Sequence, residues 1–498
     1  MAPQGYAAPS PASPPVPPAP AGSKSKLPLI LGLVGVLLVG ALVAGIVVVG
    51  GDDDKKKLAD RPAKTSDRDK PTTTADDDDD SGGEPKIIGG EGSSGLNRVV
   101  AAAIVDIERF WAEEYPDVFD GDEYEPVTGG FYSVSPEDEL PPCATDSSDI
   151  AGNAFYCATE DVVAWDDTDL MPTIQDDFGD LAVVTVMAHE WGHAIQARSK
   201  MEGATVTLEH QADCYAGAYI GHLAEQDDPE FRISPTTIDA ALAGFLRIRD
   251  TPGTAATDPS AHGSGFDRVN GFQDGIDNGA ASCAAYTDES ITLVEIPFND
   301  EADAASGGNM PFEDSITTAV TDIEDYWATV YPDPNVGNAP WQPLANVIPT
   351  EGENPPCGED DTSGYLLYYC VADDTIVFDT ETMATIHEQI GDFAVGSLLA
   401  TQYGLAVQSR LNALGDDPLE QNLTADCLAG AWTASVVLEN RATSQLRISP
   451  GDLDETVQAL LSFGSTQSEA NSSQGSGFQR VAAFRAGVIE GLAGCAGE

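Results

Sequence analysis

The sequence predicts an α+β protein that is mainly helical, with a small edge sheet in each of two duplicated domains and one transmembrane helix before them. Three observations predict this arrangement. Residues 27–50 form an uncharged apolar run, long segments with helical spacing of apolar residues follow, and a set of short motifs occurs twice in the same order. A chain of 498 residues is long enough for two or three domains.

The N-terminal part of the chain is predicted to contain a tail, an anchor and a stalk. Residues 1–26 are rich in Pro, Ala and Ser, which is typical of a disordered, here cytoplasmic, tail. Residues 27–50 are long enough to cross a bilayer as a helix, and no small-residue cleavage motif follows, so an uncleaved anchor is predicted. Residues 51–94 are charged and acidic, which indicates a solvated, disordered stalk.

Two signals disagree about which side of the membrane the rest of the chain occupies. Basic residues 55–57 and Arg61 follow the anchor, and the positive-inside rule would place them in the cytoplasm. All eight cysteines lie after residue 140, and an even count confined to one side of an anchor indicates disulfides and an oxidising compartment. We therefore expect a single-pass cell-membrane protein with extracytoplasmic C-terminal domains.

The charge of the chain excludes one class of partner. The sequence contains 83 acidic and 23 basic residues, for a formal net charge of -60. Such a surface repels nucleic-acid phosphates and anionic lipids, so no nucleic-acid binding is predicted. Clustered aspartates could bind Ca²⁺, but the spacing of a Ca²⁺-binding loop is absent from the sequence.

An internal duplication organises the rest of the chain. The segment DIERFWAEEYPD from Asp106 recurs as DIEDYWATVYPD from Asp322, and ADCYAG around Cys214 recurs as ADCLAG around Cys427. The motifs RISP and GSGF then follow in both copies in the same order. Two homologous domains are predicted, which we call the first repeat and the second repeat.

The first repeat is predicted at 95–297 and the second at 305–498. Each carries one cysteine pair in its first half and another that joins the ADC motif to its C-terminal end. The simplest connectivity is Cys143–Cys157, Cys214–Cys283, Cys357–Cys370 and Cys427–Cys495. The spacing is compatible with other pairings as well.

The secondary structure of the first repeat is read from apolar periodicity. Residues 99–115 have helical spacing, and Tyr115-Pro116 is predicted to end that helix. Residues 153–166 are rich in β-branched and aromatic residues and predict one or two strands. Residues 180–198 and 209–226 predict two long apolar helices, which completes an α+β domain.

A zinc-binding pattern lies on the first of these two helices. Residues 189–193 read His-Glu-Trp-Gly-His, and side chains four apart lie on one helix face, so His189 and His193 can bind a single Zn²⁺. Glu190 can reach a water at the metal as a general base. Glu209 on the next helix is the candidate third ligand, and Asp213 lies one turn beyond it, placed to bond the far ring nitrogen of a ligand histidine. As mere core residues, these histidines and their glutamate would be costly to bury.

The second repeat lacks the three candidate ligands and the candidate base. At the positions of His189, Glu190, His193 and Glu209 it has Thr401, Gln402, Leu405 and Asn422. It is therefore predicted to be a pseudopeptidase that cannot hold zinc in this way. Asp213 has a counterpart in Asp426, so its role is predicted to be partly structural.

His262 follows the same pattern of loss. It precedes one GSGF motif, and Gln474 precedes the other. A catalytic role as a donor to the oxyanion is one interpretation, and a surface histidine that drifted is the other. Tyr215 and Tyr219 are the rival donors.

The motifs HEWGHAIQ, LEHQADCYAG and AHGSGFDRV…GFQDG…C together resemble the putative neutral zinc metallopeptidase family of bacterial membrane-anchored proteins, which is similar in ligand pattern to thermolysin-type gluzincins. The resemblance covers 95–290 closely and the second repeat loosely. It implies a zincin-like domain with Zn²⁺ as cofactor, a peptide or protein substrate, His189, His193 and Glu209 as ligands and Glu190 as general base. The family often has a further histidine where this chain has Ala194, which affects no ligand.

The function predicted from the sequence is that of a membrane-anchored, extracytoplasmic zinc metalloendopeptidase. Two alternatives are a cell-surface binding protein with a structural zinc site, and an envelope-organising protein whose inactive second domain recruits partners. The intact Glu190 argues against the first, because a structural site has no use for a base.

Overall fold

The computed structural model describes residues 85–90, 94–135, 140–226, 229–258, 261–359, 362, 365–462 and 474–495. The predicted tail (1–26), the predicted anchor (27–50) and most of the predicted stalk lie outside the described residues. Among the helices in these ranges, none combines the length and the apolar character needed to cross a bilayer. The described part is mainly helical with two small sheets, so the α+β prediction is confirmed.

The elements of the first repeat alternate between a small sheet and a set of packed helices. The strands are β1 (Ile87–Gly89), β2 (Gly130–Val134), β3 (Ala154–Cys157) and β4 (Val162–Asp166). The helices are α1 (Ser94–Val118), α2 (Leu170–Phe178), α3 (Asp180–Ser199), α4 (Thr205–Glu225), α5 (Pro235–Arg247), α6 (Gly265–Asn278) and α7 (Ala280–Ala284), with a 3-10 turn at Ser147–Asp149.

The sheet of the first repeat has the order β1-β2-β4-β3. Strands β1, β2 and β4 are parallel, and β3 runs antiparallel to β4 at the edge. Residues 153–166, predicted to form one or two strands, form two. The predicted stalk extends too far, however, because Ile87–Gly89 pair with Phe131–Ser133 and belong to the sheet. Two consecutive β-branched isoleucines favour this extended conformation.

Helix α1 packs Ile107 and Trp111 into the core. The prediction that it ends at Tyr115-Pro116 is wrong, since the helix continues to Val118 with Pro116 inside its last turn. Proline removes one backbone donor, and the turn survives because Phe119 N–H donates to the Tyr115 carbonyl at 2.9 Å. The rings of Tyr115 and Phe119, with centroids 4.4 Å apart, pack against each other across this turn.

The second repeat follows the same order of elements. Its strands are β5 (Asn346–Thr350), β6 (Leu367–Cys370) and β7 (Thr375–Asp379), in the order β5-β7-β6. Its helices are α8 (Glu301–Ser306), α9 (Phe312–Val330), α10 (Thr380–Gln389), α11 (Asp392–Leu411), α12 (Pro418–Val437), α13 (Asp452–Ser462) and α14 (Gly477–Glu490), followed by a 3-10 turn at Gly491–Cys495. The parallel pair β5/β7 and the antiparallel pair β6/β7 correspond to β2/β4 and β3/β4 of the first repeat.

All four predicted disulfides are confirmed: Cys143–Cys157, Cys214–Cys283, Cys357–Cys370 and Cys427–Cys495. The second of these joins α4 to α7 across a sequence separation of 69 residues. In the chain-entropy model a loop of this size stabilises its domain by about 4 kcal/mol.

The second repeat buries a cluster of three carboxylates at the start of α11. Ligand atoms of Asp392, Asp452 and Glu455 lie within 4.8 Å of one another, and all three residues are buried. Glu455 Oε2 accepts a hydrogen bond from Phe393 N–H at 2.8 Å. Burial, followed by the charge of Asp392, raises the pKa of Glu455 to about 8. Burial, followed by the charge of Glu455, raises the pKa of Asp452 well above its usual value.

We predict that this cluster makes the stability of the protein depend on pH. A carboxyl whose folded pKa lies above its unfolded value of 4.5 stabilises the fold when protonated, and that stabilisation is lost as the pH rises toward 8. The thermal midpoint of the wild type should therefore fall between pH 5 and pH 8, and Glu455→Gln should reduce this fall. Glu420→Gln, at an exposed position of α12, is the control and should leave the fall unchanged. Identical pH profiles for Glu455→Gln and wild type would contradict the assignment.

We also predict that protein recovered from cells contains the same four links. Mass mapping of a digest prepared without reductant should find each pair within its own repeat, because an oxidising compartment lets the disulfides form. Free thiols at most of the eight positions would instead place this part of the chain in the cytoplasm.

Candidate metal centre

The close packing of α3 against α4 creates the candidate metal centre. Gly192 lies where the helices meet, and a Cβ at that position would approach Ala212 Cα to 2.7 Å. Any larger residue would separate the helices. Glycine on α3 and alanine on α4 therefore allow Glu209 of α4 to reach the histidines of α3.

Three side chains converge at this contact. His189 Nε2 lies 3.2 Å from Glu209 Oε2, and His193 Nε2 lies 3.4 Å from Glu209 Oε1. The ligand atoms of the three residues lie within 4.8 Å of one another. Four-residue spacing on α3 puts both imidazoles on one face, as the sequence predicts.

The other ring nitrogen of each histidine already has a partner. His189 Nδ1 lies 2.7 Å from Asp213 Oδ1, and His193 Nδ1 lies 2.9 Å from Gln196 Oε1. Both partner atoms accept a hydrogen bond, so Nδ1 carries a proton in each ring, and Nε2, which faces Glu209, is the nitrogen that would bind a metal once its own proton is displaced. Two neutral imidazoles and one carboxylate fit the donor set of a catalytic zinc ion.

Asp213 is held in place by Arg268 of α6. Arg268 Nε and Nη2 donate to the two carboxylate oxygens at 2.9 and 2.8 Å, and both residues are almost completely buried. Burial alone would raise the pKa of Asp213, but Arg268, followed by His189, holds the pKa below its usual value. The carboxylate stays ionised, which suits a group that orients His189.

The same electrostatics favour positive charge at the ligands. Burial lowers the pKa of His189, but the charge of Asp213 and bonds to Asp213 and Glu209 outweigh it and raise the pKa to about 10. Burial likewise lowers the pKa of His193, and Glu209 raises it overall. Burial raises the pKa of Glu209, yet His193 and His189 bring it well below its usual value. A cation bound between these three side chains would therefore be stabilised electrostatically.

The ligands lie in a cleft of about 1050 Å³. Glu190 lines this cleft beside the ligands and is buried, with 5% of its surface exposed. The edge strand β3 forms one wall through Ala154, Phe155 and Tyr156, and residues 247–249 form another. Because the cleft is open, a metal bound by three protein side chains would keep one coordination position accessible.

His262 also lines the cleft. Its backbone N–H and that of Gly263 donate to Asp250 Oδ2 at 2.9 and 2.8 Å, and its Nδ1 lies 3.5 Å from Asp250 Oδ1. The side chain is about half exposed, at 46%. Asp250 thus fixes the loop that carries His262 and stands beside the imidazole.

The rival donors Tyr215 and Tyr219 lie in the core. Tyr219 donates to Asp106 Oδ2 at 2.7 Å, and the Tyr215 hydroxyl lies 3.7 Å from Met201 Sδ. Neither tyrosine occurs among the described residues that line the cleft.

The corresponding place in the second repeat is filled by packed side chains. Gly404 approaches Ala425 as Gly192 approaches Ala212, so the two central helices keep the same close contact. Thr401 Oγ1 donates to the Leu398 carbonyl at 2.8 Å, and Leu405 is buried, with 1% exposed. The described residues hold no histidine-containing ligand cluster here.

The buried aspartate and arginine pair, by contrast, is present in both repeats. Arg480 Nε and Nη2 donate to the two oxygens of Asp426, each at 2.8 Å. This matches the prediction that the role of Asp213 is partly structural.

Sequence reasoning missed several residues that the structure brings to the site. Arg268 could have been found, because an arginine stands two residues after both GSGF motifs and an aspartate is present in both ADC motifs. Gln196 bridges His193 and the Leu208 carbonyl, and nothing in its spacing marks that role. Asp250 and Arg249 come from a loop whose course the sequence does not indicate.

The chain is similar to known bacterial proteins over part of its length. The chain is 32% identical to the uncharacterized protein Rv2575 of Mycobacterium tuberculosis over 164 residues, covering 28% of this chain and 55% of the relative. It is 29% identical to the uncharacterized protein YpfJ of Escherichia coli over 154 residues, covering 26% of this chain and 53% of the relative. The chain thus spans about half the length of these curated relatives. No solved structure matches it significantly.

The family model described as putative neutral zinc metallopeptidase matches residues 28–286, just over half of the chain. This range contains all three candidate ligands as well as Glu190 and His262. The chain therefore belongs to the putative neutral zinc metallopeptidase family, whose cofactor is Zn²⁺.

Proposed function

We propose that this protein is a membrane-anchored zinc metalloendopeptidase that hydrolyses peptide bonds outside the cytoplasm. The observation that carries the proposal is the convergence of His189, His193 and Glu209 beside Glu190 in an open cleft. A structural zinc site is usually closed by four protein ligands and contains no spare base. Three ligands, a base and an open cleft instead suit catalysis.

The residues of the cleft divide the chemistry between them. A zinc ion bound by the three ligands supplies Lewis acidity, which polarises a carbonyl and lowers the pKa of water to about 7. Glu190 takes the proton of the attacking water and passes it to the leaving amine. The imidazole of His262 donates a hydrogen bond to the oxyanion that develops on the substrate carbonyl. Asp213 and Gln196 keep the ligand histidines in the required tautomer.

The edge strand β3 supports cleavage within a chain. It pairs with β4 on one side, and its residues Ala154, Phe155 and Tyr156 line the cleft. An extended peptide could add to such an edge through backbone hydrogen bonds, which bind any sequence without needing a free terminus. This favours an endopeptidase acting on peptides or proteins.

The anchor and the location of the protein belong to the same proposal. The apolar run at 27–50 supports a single-pass anchor. The eight cysteines, paired as four disulfides, support an extracytoplasmic position for the domains in spite of the basic residues at 55–57. The second repeat is proposed to be catalytically inactive, since Thr401, Gln402 and Leu405 cannot replace the metal ligands and the base.

We predict about one zinc ion per chain in the purified full-length protein. His193→Ala should remove the zinc and the peptidase activity, because the metal loses one of its three ligands. Glu190→Gln should retain the zinc and lose the activity, because the base is gone while the ligands remain. Metal analysis and cleavage of an unstructured protein substrate would be measured together. Full hydrolysis by Glu190→Gln would refute the proposed mechanism, and two zinc ions per chain would refute the inactive second repeat.

We predict that His262→Ala lowers kcat by about 10²–10³-fold, the usual effect of losing an oxyanion donor, and leaves zinc content and folding intact. KM should change little, because the hydrogen bond forms mainly in the transition state. His222→Ala is the matched control: His222 lies near the end of α4, where its Nε2 contacts Gln226 Nε2 at 2.7 Å, and it should leave kcat unchanged. An unaltered kcat in His262→Ala would show that the difference between the repeats at this position is drift.

A further inference from the structure

The two repeats contact each other through a matched pair of carboxylates. Asp454 lies on α13 of the second repeat and accepts a 2.8 Å hydrogen bond from Phe266 N–H in the first turn of α6. Asp239 lies on α5 of the first repeat and accepts 2.7 Å bonds from Gly477 N–H and Phe478 N–H in the first turn of α14. The two aspartates occupy the same position after the RISP motifs. The exchange of helix caps is therefore reciprocal.

The GSGF motifs make this exchange possible. A Cβ on Gly265 would lie 3.1 Å from Asp454 Cγ, and a Cβ on Gly477 would lie 3.1 Å from Asp239 Cγ. Glycine leaves room for the carboxylate of the other repeat. The first N–H groups of a helix lack partners within the helix and carry partial positive charge, so a buried carboxylate stabilises them.

The two aspartates differ in their contacts near the catalytic cleft. Asp454 Oδ2 also lies 3.0 Å from Arg249 Nε, and Arg249 lines the cleft that holds the candidate ligands. In the sequence of the second repeat, the residue aligned with Arg249 is Gly464, which has no side chain. The arginine is thus present only in the repeat that has the metal ligands.

Asp454 holds both ends of the segment 249–266. At one end it pairs with Arg249, and at the other it caps α6 at Phe266. The part of the segment near the cleft contains Asp250 and His262. Helix α6 then continues to Arg268, which fixes the partner of His189. The carboxylate of Asp454 therefore contacts both the cleft wall, through Arg249, and the first turn of α6, the helix that carries Arg268.

We propose that the second repeat positions the catalytic cleft of the first, with Asp454 as the positioning residue. The proposal rests on the peptidase function proposed above. Asp454 acts through Arg249 and the start of α6 and does not touch the reacting atoms. Catalytic groups must be held within about 0.5 Å of their working positions, so a small displacement of this segment lowers the rate. The second repeat, without catalytic groups of its own, would still be needed for activity.

The test compares Asp454→Asn with Asp239→Asn in the full-length zinc-loaded protein. Both substitutions weaken the same kind of helix cap at the same interface, so both should lower the thermal midpoint by a similar amount. Asp454→Asn should also lower kcat/KM by about 10–100-fold with its zinc retained, as substitutions that misorient a metal site typically do. Asp239→Asn should stay within about twofold of wild type, since it does not reach the cleft. Arg249→Gln, which leaves the bond from Phe266 in place, should reproduce the loss of activity if Asp454→Asn fails to fold.

Amide hydrogen exchange of the metal-free protein gives a readout that does not depend on activity. Asp454→Asn should speed exchange at His262, Gly263 and Phe266, whereas Asp239→Asn should speed exchange at Gly477 and Phe478. Equal activity losses in the two variants, in proportion to their stability, would show that the interface is only structural and would overturn the proposal. So would unchanged exchange at His262 in Asp454→Asn. If the wild type cleaves no peptide, the peptidase proposal fails and the exchange experiment alone decides whether Asp454 positions the segment.

Discussion

The site depends on one buried carboxylate, that of Asp213. An isolated ionised aspartate in a protein core is prohibitively costly, so its charge needs partners. Arg268 supplies two hydrogen bonds and a full positive charge, and His189 uses one of the same oxygens. The arginine stabilises the buried carboxylate, and the carboxylate then orients a candidate metal ligand. The pair also ties α4 to α6, so the interaction that orients the ligand is the one that joins two helices of the core. This explains why the second repeat can keep Asp426 and Arg480 after losing every ligand: the fold still needs the pair.

The two repeats pack their central helices in the same way but differ in the side chains at the candidate metal centre. Both bring their central helices together at a glycine facing an alanine, Gly192 with Ala212 and Gly404 with Ala425. In the first repeat this contact brings polar ligands face to face beside a cleft. In the second, Leu405 occupies the place of a histidine and is buried with neighbouring side chains that satisfy their hydrogen bonds locally. Replacing an imidazole with an aliphatic side chain removes the need for a metal at no cost to packing. The same scaffold therefore accommodates both arrangements of side chains.

The features that follow from periodicity, residue type and motif spacing were predicted from the sequence. Apolar periodicity predicted α3 and α4, β-branched residues predicted β3 and β4, and matched cysteines predicted all four disulfides. The histidine spacing and the paired motifs indicated which side chains would meet in the cleft. The strand β1 was missed because it is short and lies next to an acidic segment that indicates disorder, and only pairing with β2 stabilises it. The ion pair of Asp454 with Arg249 and the hydrogen bond that it accepts from Phe266 N–H could not be predicted, since they join residues about two hundred positions apart and depend on how the repeats dock. Repeated motifs reveal that two domains are related, but they carry no information about the surface through which the domains meet.

The excess of acidic residues explains why the repeats are joined in this way. With 83 acidic and 23 basic residues, most carboxylates of the chain cannot have an arginine or lysine partner of their own. The free N–H groups at helix N-termini are the remaining source of positive potential, and they form wherever a helix begins. Asp239 and Asp454 use the starts of α14 and α6, and Glu455 uses the start of α11. Contacts between a carboxylate and a helix N-terminus are therefore an interface chemistry that suits this composition. Arginines also enter the interface, as where Arg485 Nη1 donates to the Asn270 carbonyl at 3.1 Å. Arg249 is another such case, because it lies between the carboxylate of Asp454 in the second repeat and the cleft of the first. The interface and the proposed chemistry therefore meet at this residue.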